Sequence, residues 1–280
     1  MATQVRTSPT MLAAVLTVAA VVLAMAPWEP ATATSITTTS ITTTSITTTS
    51  ITTAKAATAP AAKAPPAPGL KRYDGGIPAS TRELIVVTAS GWRSTRGTLS
   101  LYVRAVGGPW RKTYSVPARL GANGLVKAAL RHQDTYTTPA GIFYITSGFG
   151  RSANPGTKLA YHRLTSDDWW VEDRLSAYYN QMRRGSQGGF ALTTTGPRSS
   201  EHLVAMGTQY DYVAVIDFNR PHPVVGRGSG IFLHVSGTGA TAGCVSVSPA
   251  WMRAILRWLN PALRPVIVIG PSTWLNSKPG

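Results

Sequence analysis

Cysteine is nearly absent from this chain: its 280 residues contain one, Cys244. A single thiol excludes an intramolecular disulfide framework and a zinc site built from several thiolates. Acidic residues are scarce as well, 11 Asp and Glu against 27 Lys and Arg, for a formal net charge of +16. The five histidines (His132, His162, His202, His222 and His234) are dispersed and lack metal-ligand spacing, so no metal is expected. The acidic group Asp167, Asp168, Glu172 and Asp173 does not follow a calcium-loop pattern and reads as a solvated face or a set of caps. No apolar run reaches the roughly 20 residues of a comfortable membrane span.

The longest apolar stretch, Met11 to Met25, follows Arg6 and precedes the small-residue site Ala31-Thr32-Ala33. Residues 1–33 therefore read as a secretion signal, and the mature protein is expected to be secreted, without a stable membrane span. The positive charge suits a polyanionic neighbourhood of nucleic acid, acidic lipid or anionic cell-wall polymers; export makes nucleic acid the weakest of the three, and it is not expected as a partner.

Composition changes after the signal. The pentapeptide Ser35-Ile36-Thr37-Thr38-Thr39 recurs from Ser40 and Ser45, and an Ala-, Pro- and Lys-containing stretch continues to Gly69. Neither part has the periodicity or the bulky apolar residues of a core, so 34–72 reads as a disordered tether. Residues 73–280 suit one domain. Strands are expected over 83–89, 98–106, 141–147, 212–218, 230–235, 243–247 and 265–269, each rich in β-branched or aromatic residues and bounded by turn formers. One helix opens at Ser248-Pro249 and ends at Asn260-Pro261, and a second is expected within 173–183. The long segment 149–190, with Trp169-Trp170 and Tyr178-Tyr179, reads as core packing or as a groove wall. The expected fold is mostly β with a few helices; without βαβ alternation, a Rossmann-type sheet is unsupported.

The chemistry gathers at Cys244. An unperturbed thiol has a pKa of about 8.5 and is only a few per cent thiolate near neutral pH, so a nucleophilic cysteine needs a base or a lowered pKa. His234 ends the apolar run Ile231-Phe232-Leu233, ten residues before Cys244, and Ser236-Gly237-Thr238-Gly239 permits a chain reversal between them. Gly243, lacking Cβ, lets backbone N–H groups approach a developing oxyanion. Cys244 is read as the nucleophile and His234 as its base.

At these residues the sequence resembles the L,D-transpeptidase (YkuD-like) catalytic domain. His234 matches the family's base, Thr241 its Ser/Thr, Gly243 its oxyanion-side glycine, Cys244 its nucleophile and Val245 its aliphatic position. Thr138-Pro139-Ala140-Gly141 and the strand from Tyr210 to Asp217 match further upstream features, and the likeness covers roughly 80–270. Three departures stand out. Ala242 replaces a common His, Ser246 stands where many members carry Arg, and the His–Cys interval is short. Thr241, Ala242 and Ser246 are the substrate-binding candidates that follow.

The resemblance implies a β-rich sandwich or barrel-like fold and peptidoglycan stem peptides as substrates. It also implies 3→3 cross-linking through a Cys244 thioester, with no cofactor. Glu201 and Asp217 are further candidates for orienting a base or binding a stem amine. Alternatives are an L,D-carboxypeptidase, or a non-catalytic wall-binding protein on the same fold.

Overall fold

The structure is a computed structural model, and it describes Leu70 and residues 76–277. The secretion signal expected over 1–33 and, apart from Leu70, the tether expected over 34–72 lie outside the described residues. Thirteen strands occur among the described residues. The first five are β1 (Glu83–Ala89), β2 (Arg96–Val103), β3 (Arg111–Arg119), β4 (Leu125–Lys127) and β5 (Thr138–Gly150). The small strands β6 (Ala160–Arg163), β7 (Asp168–Trp170), β8 (Met182–Arg184) and β9 (Glu201–His202) follow. The last four are β10 (Val213–Ile216), β11 (Phe232–Val235), β12 (Val245–Val247) and β13 (Val266–Pro271). Helix α1 (Pro249–Trp258), the single turn α2 (Ser272–Leu275) and short 3-10 segments such as Leu203–Tyr210 accompany them.

The main sheet runs β10-β11-β12-β3-β2-β1-β13-β5, and β5 pairs with β10 as well, which closes it into a barrel. The 13-residue β5 makes closure possible, because its first half pairs with β13 and its second half with β10. β1 lies parallel to β13 and antiparallel to β2. A separate three-stranded sheet, β8-β7-β9, stands beside the barrel. The mostly β architecture expected from the sequence is the one observed.

Period-2 alternation decides what each strand buries. Ile85 and Val87 of β1, Leu233 and Val235 of β11, Val245 and Val247 of β12 and Ile267 and Ile269 of β13 fill one cluster. Met252, Ile255 and Leu256, one stripe of α1, pack into it. The alternate residues face outward. On β10 and β11 these are Val213, Val215 and Phe232, which join Phe149, Trp170, Tyr210 and Cys244 in a second cluster of edge-to-face aromatic pairs. Leu84, Val86, Tyr102, Val266 and Val268 form a third cluster, covered by Leu275 of α2 and by Leu70.

Several local expectations are corrected. The helix expected within 173–183 is a run of turns ending in β8. Side-chain caps compete with helix there: Asp173 Oδ1 accepts from the Leu175 N–H, Ser176 Oγ accepts from the Tyr178 N–H, and Asn180 has φ +61°. Strand β3 has no counterpart among the expected strands. It exposes Arg111, Lys112 and Tyr114 and contains Pro117, so no apolar alternation announces it. The strand expected over 243–247 starts at Val245, because Gly243, at φ +138°, is in a turn. Glu172 and Asp173 were expected on a solvated face or in caps; Asp173 does cap, but Glu172 is largely enclosed.

Leu70 moves the start of the folded part earlier than residue 73, since it is 2 % exposed within the third cluster. Leu70→Ala is expected to lower unfolding stability by about 2–4 kcal/mol, and removing residues 1–72 by a similar amount. Urea denaturation of the two variants against the full chain measures this.

Candidate active site

β11 and β12 lie side by side in parallel, with Leu233 opposite Val245 and His234 opposite Ser246. One step earlier in that register Cys244 stands beside Phe232, whose N–H donates to Cys244 Sγ at 3.3 Å. Leu233 and Val245 point into the barrel, so His234 and Cys244 share the other face, two residues apart along the strands. That offset is about 7 Å along the strand, within reach of an imidazole. Both side chains line one cavity of about 340 Å³, together with Arg131, Glu172, Glu201 and Tyr210. His234 is the only histidine in its wall among the described residues.

A short turn aims the thiol. Thr241 Oγ1 donates to the Cys244 carbonyl at 2.7 Å and accepts from the Gly243 N–H at 3.1 Å. Thr138, first residue of β5 and fully buried, accepts from the Gly121 N–H and reaches the same carbonyl at 3.4 Å. Thr138 and Thr241 therefore converge on one backbone oxygen of Cys244. A Cβ at Gly243 would meet Thr137 O and Arg131 Nη2, each at 2.9 Å. With φ at +138°, glycine is required there on both counts.

The resting pair is neutral. Burial pushes the Cys244 thiol up from 9.0 to about 12; the Glu201 charge adds to this, and the Phe232 N–H and Arg131 oppose it. Burial lowers the His234 imidazole from 6.5 to about 4, against the opposing effect of the Val235 and Gln209 backbone. His234 Nδ1 is 2.8 Å from Val235 O. A carbonyl only accepts, so Nδ1 carries the hydrogen and the lone pair is on Nε2. The thiol donates to Gly230 O at 3.3 Å. This is a neutral thiol and a neutral imidazole, not a preformed thiolate–imidazolium pair.

The remaining candidates occupy different places. Thr241 lines the cavity while pinning the turn, and Ala242 is exposed at its rim. Ser246 is fully buried, accepts from Ser236 Oγ at 3.1 Å and does not line the cavity. Glu201 does line it, both carboxylate oxygens accepting from the Tyr210 hydroxyl at 2.9 and 3.0 Å. Asp217 lies off the cavity and pairs with Arg220 at 3.3 Å. Sequence reasoning missed Arg131 and Glu172. Glu172 Oε1 accepts from Ser229 Oγ at 2.7 Å beside Gly230, whose φ of +60° and close approach leave no room for a side chain. The segment 149–190 contributes to both of its expected roles, since Trp170 packs in the cluster with Cys244 and Glu172 follows it into the cavity wall.

The parallel strands of the β-barrel thus present a buried cysteine and a histidine to one cavity, with a glycine turn before the thiol. The model of the L,D-transpeptidase catalytic domain (YkuD) matches residues 95–268, and the chain belongs to that family. Neither the comparison with curated proteins nor that with solved structures gives a match. The family acts on peptidoglycan stem peptides. Among the described residues, no helix is long and apolar enough to cross a membrane.

Two pH dependences follow. Loss of the base by protonation is displaced to about pH 4, so alkylation of Cys244 by iodoacetamide should retain its neutral-pH dependence well below 6.5 and lose its base-assisted part near pH 4. A midpoint near 6.5 in the rate profile contradicts this. The Glu201 carboxyl is raised from 4.5 to about 8 by burial, with the Glu172 charge as the next cause. Between those values the folded chain holds a proton that the unfolded chain releases, so stability falls as pH rises through that window. Glu201→Gln removes this slope, and its stability relative to wild type should rise steadily from about pH 5 to 8 in urea titrations.

Proposed function

We propose that the protein is a secreted transpeptidase that forms 3→3 cross-links between peptidoglycan stems through a thioester on Cys244. The observation that carries this reading is the shared face of His234 and Cys244 in a cavity with ionisable walls. In the first half-reaction, His234 Nε2 takes the thiol proton as Sγ adds to the carbonyl of the third stem residue. The imidazolium then returns that proton to the departing nitrogen of the terminal D-alanine as the C–N bond breaks, leaving a thioester. In the second, the side-chain amine of another stem adds to the thioester, gives a proton to His234, and expels Sγ, which is reprotonated. The charge of +16 suits an enzyme working among anionic wall polymers.

A second reading has its own support. The resting thiol is raised to about 12 and donates to Gly230 O instead of His234, which is compatible with a wall-binding protein without turnover. Purified protein incubated with tetrapeptide muropeptides and read by mass spectrometry separates the two. The transpeptidase gives dimers lacking one D-alanine and an acyl adduct on Cys244, and a wall-binding protein leaves the tetrapeptides unchanged; an L,D-carboxypeptidase gives only tripeptide.

Cys244→Ala should abolish turnover and keep the fold. His234→Ala should slow acylation about 10²–10⁴-fold at neutral pH. Alanine at His162 or His202 should change it far less, because His162 pairs with Asp168 and His202 stacks on Trp169, both off the cavity. An adduct on any residue other than Cys244 overturns the assignment.

A further inference from the structure

Arg131 is 4 % exposed, yet among the described residues no carboxylate lies within 4.0 Å of its guanidinium. Its Nε donates to Thr137 O at 2.8 Å, its Nη1 makes a long 3.4 Å contact with Arg227 O, and its face lies over the Phe218 ring at 5.5 Å. Among the described residues Nη2 has no acceptor, and it lies against Gly243. Two glycines at positive φ, Gly228 (+116°) and Gly243 (+138°), form the slot; a Cβ on Gly228 would collide with Nη1 and one on Gly243 would meet Nη2 at 2.9 Å. Glu172 and Asp134 favour the Arg131 charge only from beyond contact distance, and a buried cation with no contacting counterion is costly unless an anion repays its desolvation. This one lines the cavity next to the nucleophile.

We propose that Arg131 anchors the carboxylate that ends the acyl donor, one residue beyond the bond that Cys244 attacks; this rests on the transpeptidase reading. Three observations select a monocarboxylate. The free Nη2 group donates a charge-assisted hydrogen bond to a carboxylate oxygen. Glu172 shares the cavity, and its ionised form opposes a more highly charged anion such as phosphate more than a monocarboxylate. In a donor whose attacked carbonyl is followed by a single residue, the terminal carboxylate lies two bonds beyond the departing nitrogen. A cation beside Gly243 is therefore close to where that carboxylate falls once the carbonyl reaches Sγ. Arg131 thereby selects stems that stop one residue after the attacked carbonyl. The family's common Arg two positions after the cysteine is Ser246 here, and that residue is buried away from the cavity. The cation comes from a different part of the chain.

Two measurements on the full chain test this. The first compares alkylation of Cys244 by iodoacetate, an anion, with iodoacetamide, its neutral counterpart, each rate divided by that of free cysteine. Wild type should favour iodoacetate, and added acetate should suppress the preference. Arg131→Gln should lower it roughly ten- to hundredfold, the worth of one hydrogen bond to a charged group, and Arg131→Lys should keep part of it. A wild-type preference no greater than that of free cysteine overturns the proposal even if the variants do not fold. The second compares a tetrapeptide stem with its C-terminal amide as donors. Arg131→Gln should lower kcat/KM for the acid far more than for the amide. Equal losses on both would mean that Arg131 serves the oxyanion instead, and no loss would mean that it contacts neither; each overturns the proposal. If wild type turns over no stem at all, the transpeptidase reading fails, while the alkylation ratio still decides whether Arg131 is an anion anchor.

Discussion

The site depends on one parallel pairing of two short strands. Phe232–Val235 and Val245–Val247 are joined in a register that places Leu233 beside Val245, and side-chain alternation does the rest. Each strand commits its aliphatic residues to the barrel interior, which leaves His234 and Cys244 no face but the one toward the cavity. A one-residue slip of either strand would put an aliphatic residue in the cavity and a polar one in the barrel. The hydrophobic effect that holds the barrel together therefore also sets the geometry of the reacting pair. The carbonyl of Cys244, held by Thr241 and approached by Thr138, adds the last constraint on where Sγ sits.

Low polarity around that pair determines its resting charge. Phe149, Trp170, Tyr210 and Phe232 surround the thiol with aromatic surface, and both the thiol and the imidazole are driven toward their neutral forms. The Phe232 N–H donates to the thiol sulfur. In the proposed reaction the charge that develops on attack passes to the carbonyl oxygen instead of resting on sulfur. The carboxylates Glu172 and Glu201 raise the cost of premature ionisation further, and Arg131 opposes them.

That Cys244, His234 and Gly243 gather at one place was legible in the sequence because their signal is local. Cys244 is the only thiol, Gly243 precedes it, and a strand-borne histidine stands two residues before the turn region on the other side. The mostly β class was legible for the same reason, as apolar strands bounded by turn formers. Arg131 and Glu172 were not, since each looks like one more surface charge and is made a cavity residue only by segments far away in the chain. For Arg131 those are Arg227, Gly228 and Gly243. Strand β3 escaped because its solvent face carries most of its residues, and its partner β2 supplies the pattern. Thr241 shows a subtler gap: the motif position was found, but its hydroxyl is engaged in holding the turn.

The pairing of β1 with β13 brings together residues 83–89 and 266–271, nearly the whole described length of the chain apart. β1 is almost entirely apolar, Glu-Leu-Ile-Val-Val-Thr-Ala, and while the chain grows only its β2 side can be satisfied. Its other edge waits for the last strand to emerge, with backbone donors and acceptors open to any neighbouring chain. Non-local closure of this kind is slow, because the entropy of a long loop is lost before the contacts form. The order of synthesis thus leaves the first strand as the exposed template and the last strand as its cover. A chain interrupted before residue 266 would retain Cys244 and His234 and still lack the strand that closes the barrel around them.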